Sequence, residues 1–172
     1  MRRTIIILFG IISAIICQAQ KLEISVDDFT GDIKIKTSWE KIYSGGMTGK
    51  DQTRIQIQQI NGSQFILFRV FTDRVVSIDK GAEVMFKTTD GIIKATVQEY
   101  AISEHGAWAP NAVNNKLGIY FTSRVDLNQI SGKIEKIRIP LNDGNLDLTI
   151  KSKDSDKIAK MISEVLNANV KR

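Results

Sequence analysis

The chain has 172 residues and carries 24 Lys and Arg against 19 Asp and Glu, with one histidine and one cysteine. Zinc sites usually take His and Cys in threes or fours, so this composition argues against one. The charges are interspersed, whereas nucleic-acid binding favours a clustered basic stripe with interleaved aromatic residues. We therefore expect no metal, no other cofactor and no nucleic-acid partner.

The N-terminus is typical of a secretory signal peptide. Two arginines precede an apolar run over residues 5–16, which is shorter than the roughly 20 residues of a transmembrane helix. Cys17 and Ala19 then occupy the −3 and −1 positions of a small-x-small cleavage site. This pattern predicts a signal peptide over residues 1–19 and no transmembrane span in the mature chain.

Cleavage after the signal peptide would leave a mature domain, residues 20–172, that starts at Gln20 and contains no cysteine. We expect this domain to be periplasmic or extracellular and to be stabilised by its core without disulfide bonds. Lipid anchoring at Cys17 is the less favoured alternative, because Ile16 is bulky where lipoprotein signals carry a small residue. A length of about 150 residues predicts a single domain.

The mature chain opens with two predicted strands, at residues 21–26 and 32–43, followed by a glycine-rich loop at residues 44–51. The loop contains SGGMTGKD, which is faintly similar to a phosphate-binding loop. Ser44 replaces the first glycine of that motif, and Asp51 stands where the motif has Ser or Thr. We therefore interpret this segment as a plain connection between strands.

A hairpin turn is predicted at Asn61-Gly62, because these residues tolerate the positive φ of a two-residue type I′ turn. Its register places Arg54 opposite Arg69, which is unfavourable unless an acid such as Asp73 lies between them. The second strand of the hairpin, residues 64–71, is apolar on both faces. Such a strand is covered on both faces or lies at the centre of its sheet.

The next segments are a strand at residues 75–79 and a second hairpin at Asp90-Gly91. A two-residue loop at that dipeptide sets Phe86 opposite Ala95 on an apolar face. The other face of this hairpin is charged, which is typical of a half-buried antiparallel sheet.

The segment SEHGAWAPNAVNN, residues 103–115, is a long connection that contains the only histidine. Long connections in compact domains are enriched in function. Trp108 could stack on a flat ligand, and His105 and Asn111 could form hydrogen bonds with it, so these three are the candidate ligand-binding residues. The alternative is that Trp108 is a plug in the core and that the polar residues are only solvated.

Beyond this connection the pattern predicts a strand at residues 117–122, a short helical turn within residues 124–132, and a third hairpin at Asp143-Gly144. In that hairpin the expected register sets Arg138 opposite Thr149.

The C-terminus changes to helical periodicity. An amphipathic helix is predicted at about residues 154–167, since its apolar residues recur at i, i+3, i+4, i+7 and i+8. The stripe consists of Ile158, Met161, Ile162, Val165 and Leu166. We expect it to dock on the protein's own sheet; a helix that binds a partner or a membrane surface is the alternative.

These elements predict a mainly β fold, namely an antiparallel β-sandwich or strongly curved sheet with one C-terminal α-helix. The alternative is an open α+β sheet with the helix across one face.

Three segments also carry a resemblance. FTDRVVSIDKGAEVMFKTTDG, DLNQISGKIEKIRI and DLTIKSKDSDKIAKMI are similar to segments of small exported proteins of Bacteroidetes whose function is uncharacterised. The likeness covers about residues 64–165 and consists of strands and turns, without a catalytic signature. It implies export and no particular activity.

No catalytic motif stands out, since the chain has no G-x-S-x-G elbow and would lose its only cysteine with the signal peptide. We therefore expect a non-catalytic exported module that binds an unknown ligand, with a glycan or an envelope protein as the candidates. The alternatives are a carbohydrate-active hydrolase that uses paired carboxylates and a structural component of an envelope assembly. A groove lined by Trp39 or Trp108 would favour binding, and a pair of buried carboxylates would favour the hydrolase.

Overall fold

The computed structural model describes residues 22–45, 51–105 and 117–168, and these residues form a mainly antiparallel β fold with one C-terminal helix. The predicted fold class is therefore confirmed. Every strand pairing among the described residues is antiparallel. The strands are β1 (Glu23–Val26), β2 (Ile33–Lys36), β3 (Glu40–Gly45), β4 (Asp51–Ile60), β5 (Ser63–Phe71), β6 (Ser77–Ile78), β7 (Glu83–Thr88), β8 (Ile92–Val97), β9 (Ala101–Ile102), β10 (Glu104–His105), β11 (Leu117–Arg124), β12 (Ile134–Leu141) and β13 (Gly144–Thr149).

Eleven of the strands belong to one open sheet that does not close into a barrel. Its main path runs β1-β2-β4-β5-β11-β8-β7-β12-β13, while β3 pairs with β4 and β10 pairs with β11. The short strands β6 and β9 form a separate ladder. The predicted strand at 32–43 is thus two strands, β2 and β3, which pair with successive parts of β4.

The sheet is strongly curved, as the contact between Phe68 on β5 and Phe86 on β7 demonstrates. Their ring centroids lie 6.2 Å apart, although β11 and β8 stand between the two strands in the sheet. Neighbouring strands are about 4.8 Å apart, so a flat sheet would separate these residues by roughly 14 Å. Phe121 on β11 stacks on Phe68 at 4.9 Å and completes the aromatic centre of the core.

The first hairpin has the predicted register. Asn61 and Gly62 both have positive φ, at 47° and 83°, as a type I′ turn requires. Arg54 consequently faces Arg69, as expected. Asp73, the acid named as an example of an intervening charge, instead pairs with Arg74, with 3.8 Å between the charged atoms.

The registers predicted for the other two hairpins are each wrong by two residues. Phe86 faces Ile93 instead of Ala95, and Arg138 faces Asp147 instead of Thr149. Among the described residues Asn61 is the one non-glycine residue with a positive φ, so neither aspartate adopts the conformation that a type I′ turn would need. Each turn therefore forms one residue earlier, with the glycine after its two central residues. A shift of two residues keeps every side chain on its predicted face.

Strand β5 lies inside the sheet between β4 and β11, as the prediction for residues 64–71 required. Its core side is fully buried at Ile66 and Phe68, and Leu67 on the other side is only 6% exposed. The predicted helical turn is a short 3-10 helix, Leu127–Gln129, whose first turn is capped by the Asp126 side chain.

The C-terminal helix α1 spans Ser152–Leu166, close to the predicted bounds. The stripe that faces the sheet is buried at Ile158, Met161, Ile162 and Val165. The helix contacts β3, β4 and β12, so the expected docking on the protein's own sheet is confirmed.

The predicted signal peptide, residues 1–19, lies outside the described residues. Within the described ranges, no helix has the length and apolar character needed to cross a membrane.

Candidate functional site

A cleft of about 260 Å³ opens between the end of β5 and the β12–β13 hairpin, and we name it the seam cleft. It forms because the sheet stays open: β13 ends the strand path, and its outer edge pairs with no other described strand. The residues that line it come from both sides of this opening: Tyr43, Gln52, Thr53, Val70, Phe71, Thr72, Asp73, Arg74, Val76, Leu141, Asp143, Gly144, Asn145, Leu146 and Leu148.

An ion pair closes the rim of the seam cleft. The Nε atom of Arg74 donates a hydrogen bond to the carboxylate of Asp143, which lies in the turn between β12 and β13. The hydrogen bond and the charge of Asp143 raise the pKa of the Arg74 guanidinium above its ordinary value. Asp73 adds a second, weaker partner for the same guanidinium. The rim thus carries two negative charges and one positive charge.

Two hydrogen bonds between Ser77 and Asn142, one to the Asn142 side chain and one between backbone groups, hold this rim in place. The backbone N–H of Ser77 donates to the Asn142 side-chain oxygen at 2.8 Å, and the backbone N–H of Asn142 donates to the Ser77 carbonyl at 2.9 Å. The turn between β12 and β13 is therefore fastened to the segment that follows β5, and the cleft lies between these two fastened parts.

The floor of the cleft is apolar but contains one unsatisfied hydroxyl. Val70, Val76 and Leu148 are at most 2% exposed and supply the aliphatic surface. Thr72 is 9% exposed, and its Oγ1 has no hydrogen-bond partner in the part of the chain that the structure describes. Leaving a buried hydroxyl unpaired is unfavourable by about 1–3 kcal/mol, so a ligand that reached this atom would recover free energy.

The carboxylates of the cleft are poorly arranged for glycoside hydrolysis. A general acid needs a raised pKa, which usually comes from an apolar environment. The Asp73 side chain is 80% exposed, and Asp143 is bound to the Arg74 guanidinium. Neither carboxylate therefore lies in the apolar environment that is typical of the general acid of a glycosidase.

Of the three predicted ligand-binding residues, only His105 lies within the described residues. His105 lies in β10 opposite Leu117 of β11, and its side chain is exposed. Trp108 and Asn111 lie outside the described residues, so the choice between platform and plug stays a prediction. The predicted long connection also begins later than expected, since residues 104 and 105 form a short strand.

The sequence pattern did not predict that the residues of the seam cleft form a site. A signal was present in the adjacent charges of Asp73 and Arg74, which follow one residue after a strand that is apolar on both faces. What the sequence does not provide is the approach of Asp143, 69 positions from Arg74. For metals, no group of three or more His, Cys, Asp or Glu residues within the described ranges could hold an ion.

Comparisons with protein-family models, with curated proteins and with solved structures each returned no match.

Proposed function

We propose that the protein is an exported, non-catalytic binding module whose ligand enters the seam cleft. The observation that carries this proposal is the combination of an apolar floor, the unpaired Thr72 hydroxyl and the Arg74–Asp143 ion pair at one opening. Binding sites are commonly concave and largely apolar, with a few polar groups that orient the ligand.

The rim favours a ligand with an uncharged or cationic polar group. Asp73 and Asp143 outnumber Arg74, so an anionic group entering here would meet a net negative charge. A hydroxyl or amide could pair with Thr72, while the rest of the ligand covers the aliphatic floor. We therefore infer a small amphipathic molecule with a neutral head.

The size of the cleft limits the ligand. An apolar cavity of about 150 Å³ holds one benzene molecule. At about 260 Å³, the seam cleft has room for less than two such groups. A short alkyl chain or a single ring with a polar substituent matches this volume, and a polymer would place only one terminal unit inside.

Export is supported by the first 19 residues, which combine a basic start, a short apolar run and a small-x-small site. Mass spectrometry of the protein purified from its native cells should find Gln20 as the first residue. A diacylglycerol on Cys17 would instead establish lipid anchoring. Recovery of an intact chain that begins at Met1 in the cytoplasmic fraction would contradict export.

The binding proposal is tested with three probes that share one alkyl chain: 1-octanol, octanoate and protonated octylamine. Calorimetry and thermal unfolding should detect binding of octanol and octylamine and markedly weaker binding of octanoate. Equal binding of all three would contradict the role of the rim charges. Binding of none would contradict the proposed ligand class.

Two variants locate the binding to the cleft. Leu146→Trp should fill it and abolish octanol binding, whereas Ile92→Trp, at a position 65% exposed on β8 and outside the cleft, should leave binding unchanged. Thr72→Val removes an unpaired hydroxyl at nearly constant shape. It should therefore raise the melting temperature of the free protein while weakening octanol binding about two- to tenfold.

A further inference from the structure

A second cluster with binding chemistry lies on the face of the sheet that points away from the core. Side chains alternate between the two faces of a strand. Val70 on β5 and Ile119 on β11 are each 1% exposed and face the core, so Arg69 and Tyr120 face outward. Trp39, between β2 and β3, packs onto these two residues, and we name the three residues the outer patch.

Arg69 packs against two aromatic rings that also contact each other. Its guanidinium carbon lies 4.3 Å from the centroid of the Trp39 ring and 5.9 Å from that of Tyr120. The two rings meet edge to face at 6.1 Å. This arrangement fixes the plane of the guanidinium, and an arginine fixed in this way loses little freedom when it binds a carboxylate or sulfate.

The outer patch contains an unsatisfied hydrogen-bond donor. The Nε atom of Arg69 is buried and has no hydrogen-bond partner among the described residues. Burial lowers the pKa of Arg69 below its ordinary value. An anion bound beside Arg69 would offer this donor an acceptor and would complement its charge.

Tyr120 also lines an open groove of about 500 Å³, together with Phe65 and Tyr100. Tyr100 is 58% exposed and Tyr120 is 42% exposed, so their rings are available to a ligand. Exposed aromatic rings provide flat apolar surfaces beside a polar tip. The groove also contains Glu99, which disfavours an anionic group there. An uncharged ring therefore suits the groove, and an anionic group suits Arg69.

We infer that the outer patch binds an acidic polysaccharide, with an anionic group on Arg69 and a neighbouring sugar ring against Tyr120. A polysaccharide fits because one tyrosine contacts the arginine and also lines the open groove, so a chain of linked rings could reach both. The bound group is a carboxylate or a sulfate, which share the geometry that a guanidinium recognises. This site is independent of the seam cleft, and either can fail without the other.

The test measures binding of the mature protein to hyaluronate, kappa-carrageenan, neutral dextran and single-stranded poly(dT). Hyaluronate and kappa-carrageenan each alternate an anionic ring with an uncharged one, the first through a carboxylate and the second through a sulfate. We expect binding to one or both acidic polysaccharides and none to neutral dextran. Hyaluronate alone would identify the anionic group as a carboxylate, and kappa-carrageenan alone as a sulfate. Binding of poly(dT) as tight as that of the polysaccharides, or binding of neutral dextran, would overturn the inference.

Three variants and one control separate a specific site from general attraction of polyanions. Arg69→Gln should weaken binding roughly tenfold or more, because it removes the charged donor. Arg69→Lys, which keeps the charge without the planar fork, should also weaken it. Lys87→Gln removes one exposed charge from β7, outside the outer patch, and should change the affinity less than about twofold.

Tyr120→Ala keeps the test decisive if the Arg69 variants fail to fold. Its side chain is partly exposed, so the fold should persist, as circular dichroism can verify, while affinity for the acidic polysaccharide falls roughly tenfold. Equal losses for Lys87→Gln and Arg69→Gln would overturn the inference, since they would indicate attraction by net charge alone. An unchanged affinity of a folded Tyr120→Ala variant would overturn it as well.

Discussion

The Ser155 hydroxyl of helix α1 accepts a hydrogen bond from the backbone N–H of Ile134 on β12, with 2.9 Å between oxygen and nitrogen. Both residues are buried, with Ser155 at 2% and Ile134 at 3% exposure. The register between β12 and β7 shifts between Ile134 and Lys136, so the sheet is irregular here. The helix thus supplies a partner to a backbone group at a position where the strand ladder is interrupted.

This bond leads to the first prediction. Ser155→Ala should leave the buried N–H of Ile134 unpaired and lower the free energy of unfolding by about 1–3 kcal/mol. Ser152→Ala provides the control. The Ser152 hydroxyl accepts a hydrogen bond from the Lys133 side chain, but Ser152 is exposed, so its replacement should change the free energy of unfolding by less than about 0.5 kcal/mol. Urea unfolding measures both variants, and equal effects would mean that the buried bond adds nothing.

The second prediction concerns the apolar stripe of the helix. Ile162 is 5% exposed within that stripe, so Ile162→Ala should lower the free energy of unfolding by about 2–5 kcal/mol. Ala159→Ser on the exposed side of the same helix is the control and should be nearly neutral. An unchanged melting temperature for Ile162→Ala would contradict the docking of the helix on this sheet.

The parts of the fold that depend on local chemistry could be predicted from the sequence. Alternating side chains identified the strands, and the i, i+3, i+4 spacing identified a helix whose observed bounds are Ser152–Leu166. The register at Asn61-Gly62 was also predictable, because asparagine tolerates positive φ. The turns at Asp90 and Asp143 were not, because an Asp-Gly pair fits more than one turn and the rest of the sheet selects between them.

The candidate sites depend on contacts between distant segments, which the pattern of a single sequence does not contain. The seam cleft brings Arg74 to Asp143, and the outer patch brings Trp39 to Arg69 and Tyr120. Each segment alone looks like an ordinary strand or turn. The sequence did place Arg69 opposite Arg54, but the neighbour it suggested was Asp73, whereas the structure places the Trp39 ring over the guanidinium. The segment with Trp108 and Asn111 lies outside the described residues, so its role stays a prediction.

The third prediction compares two glycines with similar backbone conformation. Gly62 and Gly132 have φ of 83° and 73°, where a residue other than glycine is strained by about 1–2 kcal/mol. A Cβ at Gly62 would meet open space, whereas a Cβ at Gly132 would collide with the side chains of Thr89 and Asp90. Thr89 also accepts a hydrogen bond from the N–H of Lys133, which restricts its movement. Gly132→Ala should therefore destabilise the protein more than Gly62→Ala in denaturant titrations, and the reverse order would contradict this account.

The last prediction uses pH to test the observed register of the β12–β13 hairpin. Arg138 donates two hydrogen bonds of 2.7 Å to the facing carboxylate of Asp147, which lowers the pKa of Asp147 below its ordinary value. A group whose pKa is lowered by folding stabilises the protein above its unfolded pKa of about 3.9, and this contribution disappears as the pH falls through the folded pKa. At pH 7, Asp147→Asn should therefore melt at a lower temperature than the wild type, and the two melting temperatures should converge below about pH 4.

High salt at pH 7 should narrow the difference between these two melting temperatures, because the side chains of Arg138 and Asp147 are about half exposed. The register first expected, with Arg138 opposite Thr149, offers no such carboxylate. A melting difference that stays constant from neutral to acidic pH would therefore mean that Asp147 acts through strand propensity instead of its charge.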